Sequence, residues 1–278
     1  MAERCRVFVL AGNGTNCEVE TAHAWRLAGA DAVDVVPIWD WAAGRASLES
    51  HDVLTFPGGF MDGDDLGSAR ACAHRLRHTT PRAGGPTLLE EVVAFVRRGG
   101  LVLGICNGFQ LLVKVGLLPG GGEDVRPTTT LGPNARGRFE DRWVRLLADP
   151  ASPCLFTRGL GEFELPVRHG EGRLLFADDA ARKATVDRHL VPLRYALKGR
   201  PTDAYPFNPN GAEEAAAALT DPTGRILGLM PHPEAFVVRT QHPRWTREAV
   251  PEEGAGLRLF RNAVQAVRGE GSQLERVG

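Results

Sequence analysis

The sequence predicts an α/β fold, a mostly parallel sheet covered by helices and built as a single domain. Three observations carry that prediction. The first half of the chain alternates short apolar runs with amphipathic helical patterns, the rhythm of a parallel sheet under helical cover. The 278 residues are 43% hydrophobic and 24% charged, enough apolar side chain for a sizeable core and too much for a disordered chain. No internal repeat or low-complexity tract divides the chain. One domain over residues 1–268 with a polar tail at 269–278 therefore fits better than two domains.

The elements follow in order. Strands are expected at Arg6–Leu10, Ala32–Val36, Val53–Phe56 and Leu101–Ile105, with helices at Cys17–Ala28, Leu66–His78 and Leu88–Arg98 between them. The last helix is the clearest: Leu88, Leu89, Val92, Val93 and Val96 share one face, and Gly99-Gly100 stops it. Residues Gly116–Gly137 are rich in Gly, Pro and Thr and read as a long ordered loop. Strand-like pieces follow at Arg142–Leu147, Leu165–His169, Leu174–Phe176, Val191–Leu197 and Ile226–Met230. A closing helix carries Leu257, Phe260, Val264 and Val267 at helical spacing.

Charge and cysteine usage exclude several function classes. Lys and Arg number 33 against 34 Asp and Glu, so no basic field is present to hold nucleic acid. No apolar stretch reaches the roughly 18 residues of a membrane span, and the short run Val7–Ala11 after Arg4 and Arg6 reads as a first strand, not a signal peptide. The five cysteines are odd in number and widely spaced, the usage of a reducing compartment such as the cytoplasm. Glycine is in surplus, 33 residues where about 20 are expected, which suggests turns and close backbone approaches.

Chemistry concentrates in three places. In Leu101–Leu112 a buried strand ends at Ile105 and a helix starts at once. Gly104 and Gly108 lie two residues either side of Cys106. This G-x-C-x-G pattern is the thiol counterpart of a nucleophile elbow, whose tight turn leaves no room for flanking side chains. The helix start points free N–H groups and its positive dipole end at the sulfur, which suits a nucleophilic thiolate. A buried structural cysteine is the plainer reading of one Cys, but not of one between two such glycines. The second place is Met230-Pro-His232-Pro-Glu234. An extended backbone there puts His232 and Glu234 on one side, about 6.6 Å apart, so that Glu234 orients an imidazole serving the thiol. The third is Pro57-Gly58-Gly59-Phe60 at a strand's carboxyl end, where α/β sheets bind ligands. A backbone N–H there and that of Asn107 can form an oxyanion hole.

Together, Pro57-Gly58-Gly59, Gly104-Ile-Cys106-Asn-Gly108 and His232-Pro-Glu234 resemble the class I (triad) glutamine amidotransferases. Further segments narrow the resemblance to one family within that class, the glutaminase subunits (subunit I) of phosphoribosylformylglycinamidine synthase in purine biosynthesis. They are Gly14-Thr-Asn-Cys17, Asn134–Glu140 with Arg142-Trp143, Leu165–Gly172, Asn208-Pro-Asn210-Gly211 and Gly228–Glu234.

The resemblance implies a flavodoxin-like sheet with helices on both faces. Cys106 would be the nucleophile, His232 the acid/base and Glu234 its orienter, with Gly58 and Asn107 giving oxyanion N–H groups. Gly59, Phe60, Gln110, His169, Gly170 and Glu171 would hold the glutamine. It implies no cofactor or metal in this chain. Ammonia would pass to a separate synthetase subunit that uses ATP and Mg to make the amidine of formylglycinamide ribonucleotide, with a small third subunit as a further partner. The Asn134–Trp143 segment would contact that partner or line the ammonia path.

The sequence departs from the family pattern at Met61 and Asp62 after Phe60, and carries extra residues near 75–86 and 236–254. Two rival readings stay open on sequence alone: another class I amidotransferase subunit, and a non-catalytic or redox-sensing cysteine protein on the same fold. A sensor needs only the reactive thiol, so the His-Pro-Glu strand end argues against the second. Weaker signals are the partial dinucleotide pattern at Gly12-Asn-Gly14 and a metal half-site from Cys72, His74 and His78; a loop and a polar helix face are the plainer readings.

Overall fold

The computed structural model describes residues 4–122 and 125–269; the polar tail read from the sequence lies almost entirely outside them. The first half runs β1 (Arg6–Ala11), α1 (Glu18–Leu27), β2 (Ala32–Pro37), α2 (Ile38–Ala42), β3 (Val53–Phe56), α3 (Arg70–His78), α4 (Leu88–Arg97), β4 (Leu101–Ile105) and α5 (Asn107–Lys114). The second half adds β5 (Thr129–Pro133), β6 (Glu140–Ala148), β7 (Glu162–His169), β8 (Glu171–Phe176), α6 (Asp179–Asp187), β9 (Leu193–Leu197), β10 (Arg200–Pro201), β11 (Ala218–Thr220), β12 (Ile226–Leu229) and α7 (Leu257–Val267).

The central sheet has six strands in the order β11-β12-β4-β3-β1-β2, parallel throughout except for β11. Every residue of β3, β4 and β12 is buried. Successive side chains point to opposite faces of a sheet, so both faces of these strands are covered. One cover contains α1 packed on α7, with Trp25 edge-on to Phe260 at 4.9 Å. The other groups α3, α4 and α5. Helix α4 starts where Thr87 and Glu90 cap each other, the Glu90 N–H reaching Thr87 Oγ1 at 3.2 Å and the Thr87 N–H reaching Glu90 Oε2 at 2.7 Å.

The second half builds a smaller antiparallel layer on this sheet. It consists of a four-stranded sheet, β10-β9-β6-β7, and a two-stranded pair, β5-β8. Its β7–β8 turn places His169, Gly170 and Glu171 over the carboxyl end of the parallel strands, where the backbone N–H of His232 donates to Pro166 O at 2.8 Å.

Three expectations need correction. The stretch Gly116–Gly137 is not all loop, because Thr129–Pro133 pairs with β8, 38 to 47 residues on. A pairing made at that distance leaves little local pattern. Helix α3 begins at Arg70, four residues later than Leu66. Gly67 at φ +96° and a turn from Asp64 O to the Gly67 N–H break the pattern first. Helix α6 was not foreseen; it buries only Thr185 and so shows no apolar stripe.

Candidate active site

Strand β4 ends at Ile105 and α5 begins at Asn107, leaving Cys106 alone to turn the chain. Its backbone sits at φ +51° and ψ −101°, a conformation that costs a residue with a side chain about 1–3 kcal/mol. Two hydrogen bonds hold it there. The Cys106 N–H donates to Leu229 O at 2.8 Å, and Cys106 O accepts from the Gln110 N–H at 3.0 Å. The flanking glycines have a direct steric reason. A Cβ on Gly104 would lie 2.7 Å from Gly108 O, and one on Gly108 only 2.0 Å from Phe56 O. The thiol projects toward Arg168 O, 3.7 Å away, and lines a cavity.

His232 comes from the end of β12, the immediate sheet neighbour of β4, in the register Leu229↔Ile105. Its Nδ1 meets Glu234 Oε1 at 2.5 Å, with the two side chains only 4% and 1% exposed. The backbone that achieves this is not extended. Pro233–Ala235 form a single 3-10 turn, which curls the carboxylate back onto the ring. A proline at the first position of a turn has its φ preset and no N–H to leave unpaired. Burial alone would lower the imidazole's pKa. The Glu234 carboxylate and the nearby Cys106 and Cys17 thiols outweigh it and hold the pKa well above the usual 6.5. Nε2 of His232 is buried with no hydrogen-bond partner among the described residues.

The Pro57-Gly58-Gly59 loop closes against the same ring. A Cβ on Gly58 would stand 2.9 Å from His232 Cε1 and 3.3 Å from Cys17 Sγ. Gly59 has φ +136° and is pressed onto the loop after β1, with Phe60 N–H donating to Gly14 O at 2.7 Å. The Gly12–Gly14 segment therefore serves as a packing surface for the second loop.

These pieces enclose a cavity of about 400 Å³ lined by Cys17, Gly59, Phe60, Asp64, Ser68, Cys106, Gln110, His169, Gly170, Glu171 and His232, among others. A chain of amides braces it: Asn107 Oδ1 accepts from Met61 N–H at 3.0 Å, Asn107 Nδ2 donates to Gln110 Oε1 at 3.0 Å, and Gln110 Nε2 donates to Glu171 O at 2.6 Å. Met61, a departure from the family pattern, thus joins the site through its backbone. His169 packs behind, with Nδ1 at 3.1 Å from Asn134 Oδ1, while Asn134 Nδ2 donates to His169 O at 2.8 Å. Burial, with a smaller contribution from His232, pushes the pKa of His169 down to about 3, so it is neutral. Ser68 Oγ donates to Asp64 Oδ2 at 2.9 Å, while Asp64 Oδ1 is buried without a partner among the described residues.

Comparison with known proteins places nearly the whole chain in one family. A family model described as a CobB/CobQ-like glutamine amidotransferase domain matches residues 4–267. The chain belongs to this family. A Dehalococcoides mccartyi protein named phosphoribosylformylglycinamidine synthase subunit PurQ is 42% identical over 265 residues, covering 95% of this chain and 98% of the relative. A Methanococcus maripaludis protein of the same name is 36% identical over 94% of this chain and 96% of its own length. Among solved structures, one described as PurLQS from Thermotoga maritima superposes with a TM-score of 0.69 at 25% identity, covering 95% of this chain and all of that one. A glutamine amidotransferase from the same organism, at 15% identity and a TM-score of 0.52, shares the fold.

In this amidotransferase the residues singled out from sequence converge. Cys106, His232, Gly59, Phe60, Gln110, His169, Gly170 and Glu171 all line the one cavity, Gly58 backs the imidazole, and Asn107 opens α5 beside the thiol. Gln110 is bound at both ends of its amide within the protein, and Asn134 is buried as a brace for His169. Asn134 is therefore not at the surface, whereas Phe139 is 55% exposed and lines the cavity. Sequence reasoning assigned no role to Cys17, Asp64 or Ser68. The Asp64-x-x-x-Ser68 pair straddles what read as a helix start at Leu66, so only its turn chemistry could have given it away. Cys72 is buried against Met61 Sδ, the His74 and His78 rings lie tilted against each other, and the three do not gather as a ligand group, which removes the half-site reading.

Proposed function

We propose that the chain is the glutaminase subunit of phosphoribosylformylglycinamidine synthase, releasing ammonia from glutamine for a synthetase subunit. The observation that carries the chemistry is the joint placement of Cys106, held at φ +51° on the strand-to-helix turn, and the His232–Glu234 pair on the adjacent strand.

In this reading Cys106 Sγ attacks the carboxamide carbon and the carbonyl oxygen becomes an oxyanion, met by the backbone N–H groups of Gly58 and Asn107. His232, charged through Glu234, gives its proton to the departing ammonia, leaving a glutamyl thioester on Cys106. Water then attacks the thioester with His232 as base, freeing glutamate and the thiol. Asp64, with an open buried oxygen, and Glu171 offer carboxylates to the substrate's α-ammonium group. The chain itself needs no cofactor for these steps; ATP and Mg serve the synthetase subunit, which takes the ammonia. The exposed Phe60 and Phe139 at the cavity mouth suit cover by that partner. No helix among the described residues is long and apolar enough to cross a membrane, and a cytoplasmic setting fits the free thiols.

The test is nitrogen-source dependence in the reconstituted complex. Cys106→Ala is expected to abolish amidine synthesis from glutamine while sparing synthesis from added ammonium. Equal loss with both sources would assign Cys106 to assembly and overturn the reading.

A further inference from the structure

A second concave site shares no lining residue with the Cys106 cavity. It is a cleft of about 500 Å³ bounded by α3, the end of α5 and the β5-β8 pair. Arg70, His74 and Arg77 stand at i, i+4 and i+7 on one face of α3, Lys114 comes from the last turn of α5, and no acidic residue lines the cleft. Among the described residues, Arg70, Arg77 and Lys114 have no carboxylate partner, whereas Arg75 of the same helix pairs with Asp62 at 2.9 Å. Arg77 Nη2 donates to the Lys114 and Val115 carbonyls at 3.3 and 3.0 Å, and Lys114 Nζ reaches only Leu131 O, at 3.4 Å.

Cations gathered in this way repel one another unless an anion sits among them. Burial already pushes the pKa of the Lys114 ammonium down, with Glu171 opposing and Arg70 adding to the fall. The remaining wall is of another kind. Half-buried Leu175 and Phe176, with Ala73, make an apolar floor, and Thr130 offers an exposed hydroxyl. A cationic end beside an aromatic floor, in a cleft of small-molecule size, fits a phosphate monoester that carries a flat ring. We propose that the cleft binds a nucleoside 5′-monophosphate, its phosphate held by Arg70, Arg77 and Lys114 and its base laid against Phe176. The step is binding alone, with no bond made or broken. Helix α5 opens at Asn107 beside the thiol and β8 opens at Glu171, so both elements run from the Cys106 cavity to this cleft. The site does not rest on the glutaminase reading.

The test is calorimetric titration of the full chain, at constant ionic strength, with adenosine 5′-monophosphate, inorganic phosphate and adenosine in separate arms. The nucleotide is expected to bind saturably and more tightly than either fragment. Arg70→Ala and Lys114→Met, with their folds checked by circular dichroism, are each expected to weaken nucleotide binding at least about tenfold. Arg247→Ala, an exposed arginine outside the cleft, is expected to leave it unchanged. No saturable binding of the nucleotide to the unmutated chain overturns the proposal, as does adenosine binding as tightly as its phosphate. Inorganic phosphate matching the nucleotide removes the ring from the cleft and overturns it too. Undiminished binding in Arg70→Ala and Lys114→Met, or an equal loss in Arg247→Ala, places the nucleotide elsewhere and has the same effect.

Discussion

Gly108 packs so closely on Phe56 that a Cβ on the glycine would sit 2.0 Å from the Phe56 carbonyl oxygen, well inside contact distance. The first turn of α5 is thus wedged against the end of β3, and Cys106 is held between that wedge and its hydrogen bond to Leu229. Gly108→Ala must push the helix start away from the sheet. We expect a loss of about 3 kcal/mol or more in stability, together with collapse of glutaminase activity. Gly170→Ala, where the nearest atom lies 3.8 Å from the new Cβ, serves as the stability control. Chemical denaturation of the two variants decides it; equal midpoints would refute the wedge.

In the proposed mechanism the His232–Glu234 pair divides proton transfer from its support. His232→Ala is expected to lower the glutaminase rate by about 10²–10⁴-fold, and more than Glu234→Ala does, because it removes the acid/base itself. Glu234→Gln keeps the shape and removes the charge, so the His232 pKa should fall from its raised value. Imidazole NMR titration reads that shift directly. An unmoved titration, or a larger rate loss at Glu234, would reverse the roles.

His169 gives a stability prediction with a definite sign. Its folded-state pKa, pushed down to about 3 by burial, lies below the unfolded value near 6.5. The unfolded chain therefore binds the extra proton first as pH falls. The stability from His169 is whole above 6.5 and is lost between there and about 3, at up to roughly 1.4 kcal/mol per pH unit. His169→Gln, which can still bond Asn134, should flatten that part of the pH–stability curve. Parallel curves for the two proteins would rule it out.

The parallel strands of the central sheet were legible because each is a local apolar run, whereas its antiparallel edge strand β11 was not expected. β3 and β4 fall on the expected residues, and β1, β2 and β12 within one residue at an end. The Cys106 turn was legible for the same reason, since a sharp strand-to-helix turn writes its steric demand into two glycines only four residues apart. What escaped was non-local or weakly amphipathic. β5 exists through its pairing with β8, and α6 buries one residue. Glu234 does meet His232, but on a different backbone: proline flanks suggest extension, while the tertiary bond to Pro166 and the 3-10 turn bend the segment instead. Cys17 lies in the Gly14-Thr-Asn-Cys17 segment, yet nothing local tells of a ring delivered from 215 residues later.

The register of β4 against β12 carries one last consequence. Cys106 and His232 extend from neighbouring strands whose pairing sets their separation, and those strands are buried along their whole length. The site therefore has no soft way to come apart. On heating, loss of the reaction should coincide with melting of the whole domain, whereas the cavity mouth, built from loops, is where homologous chains are free to diverge without disabling their chemistry.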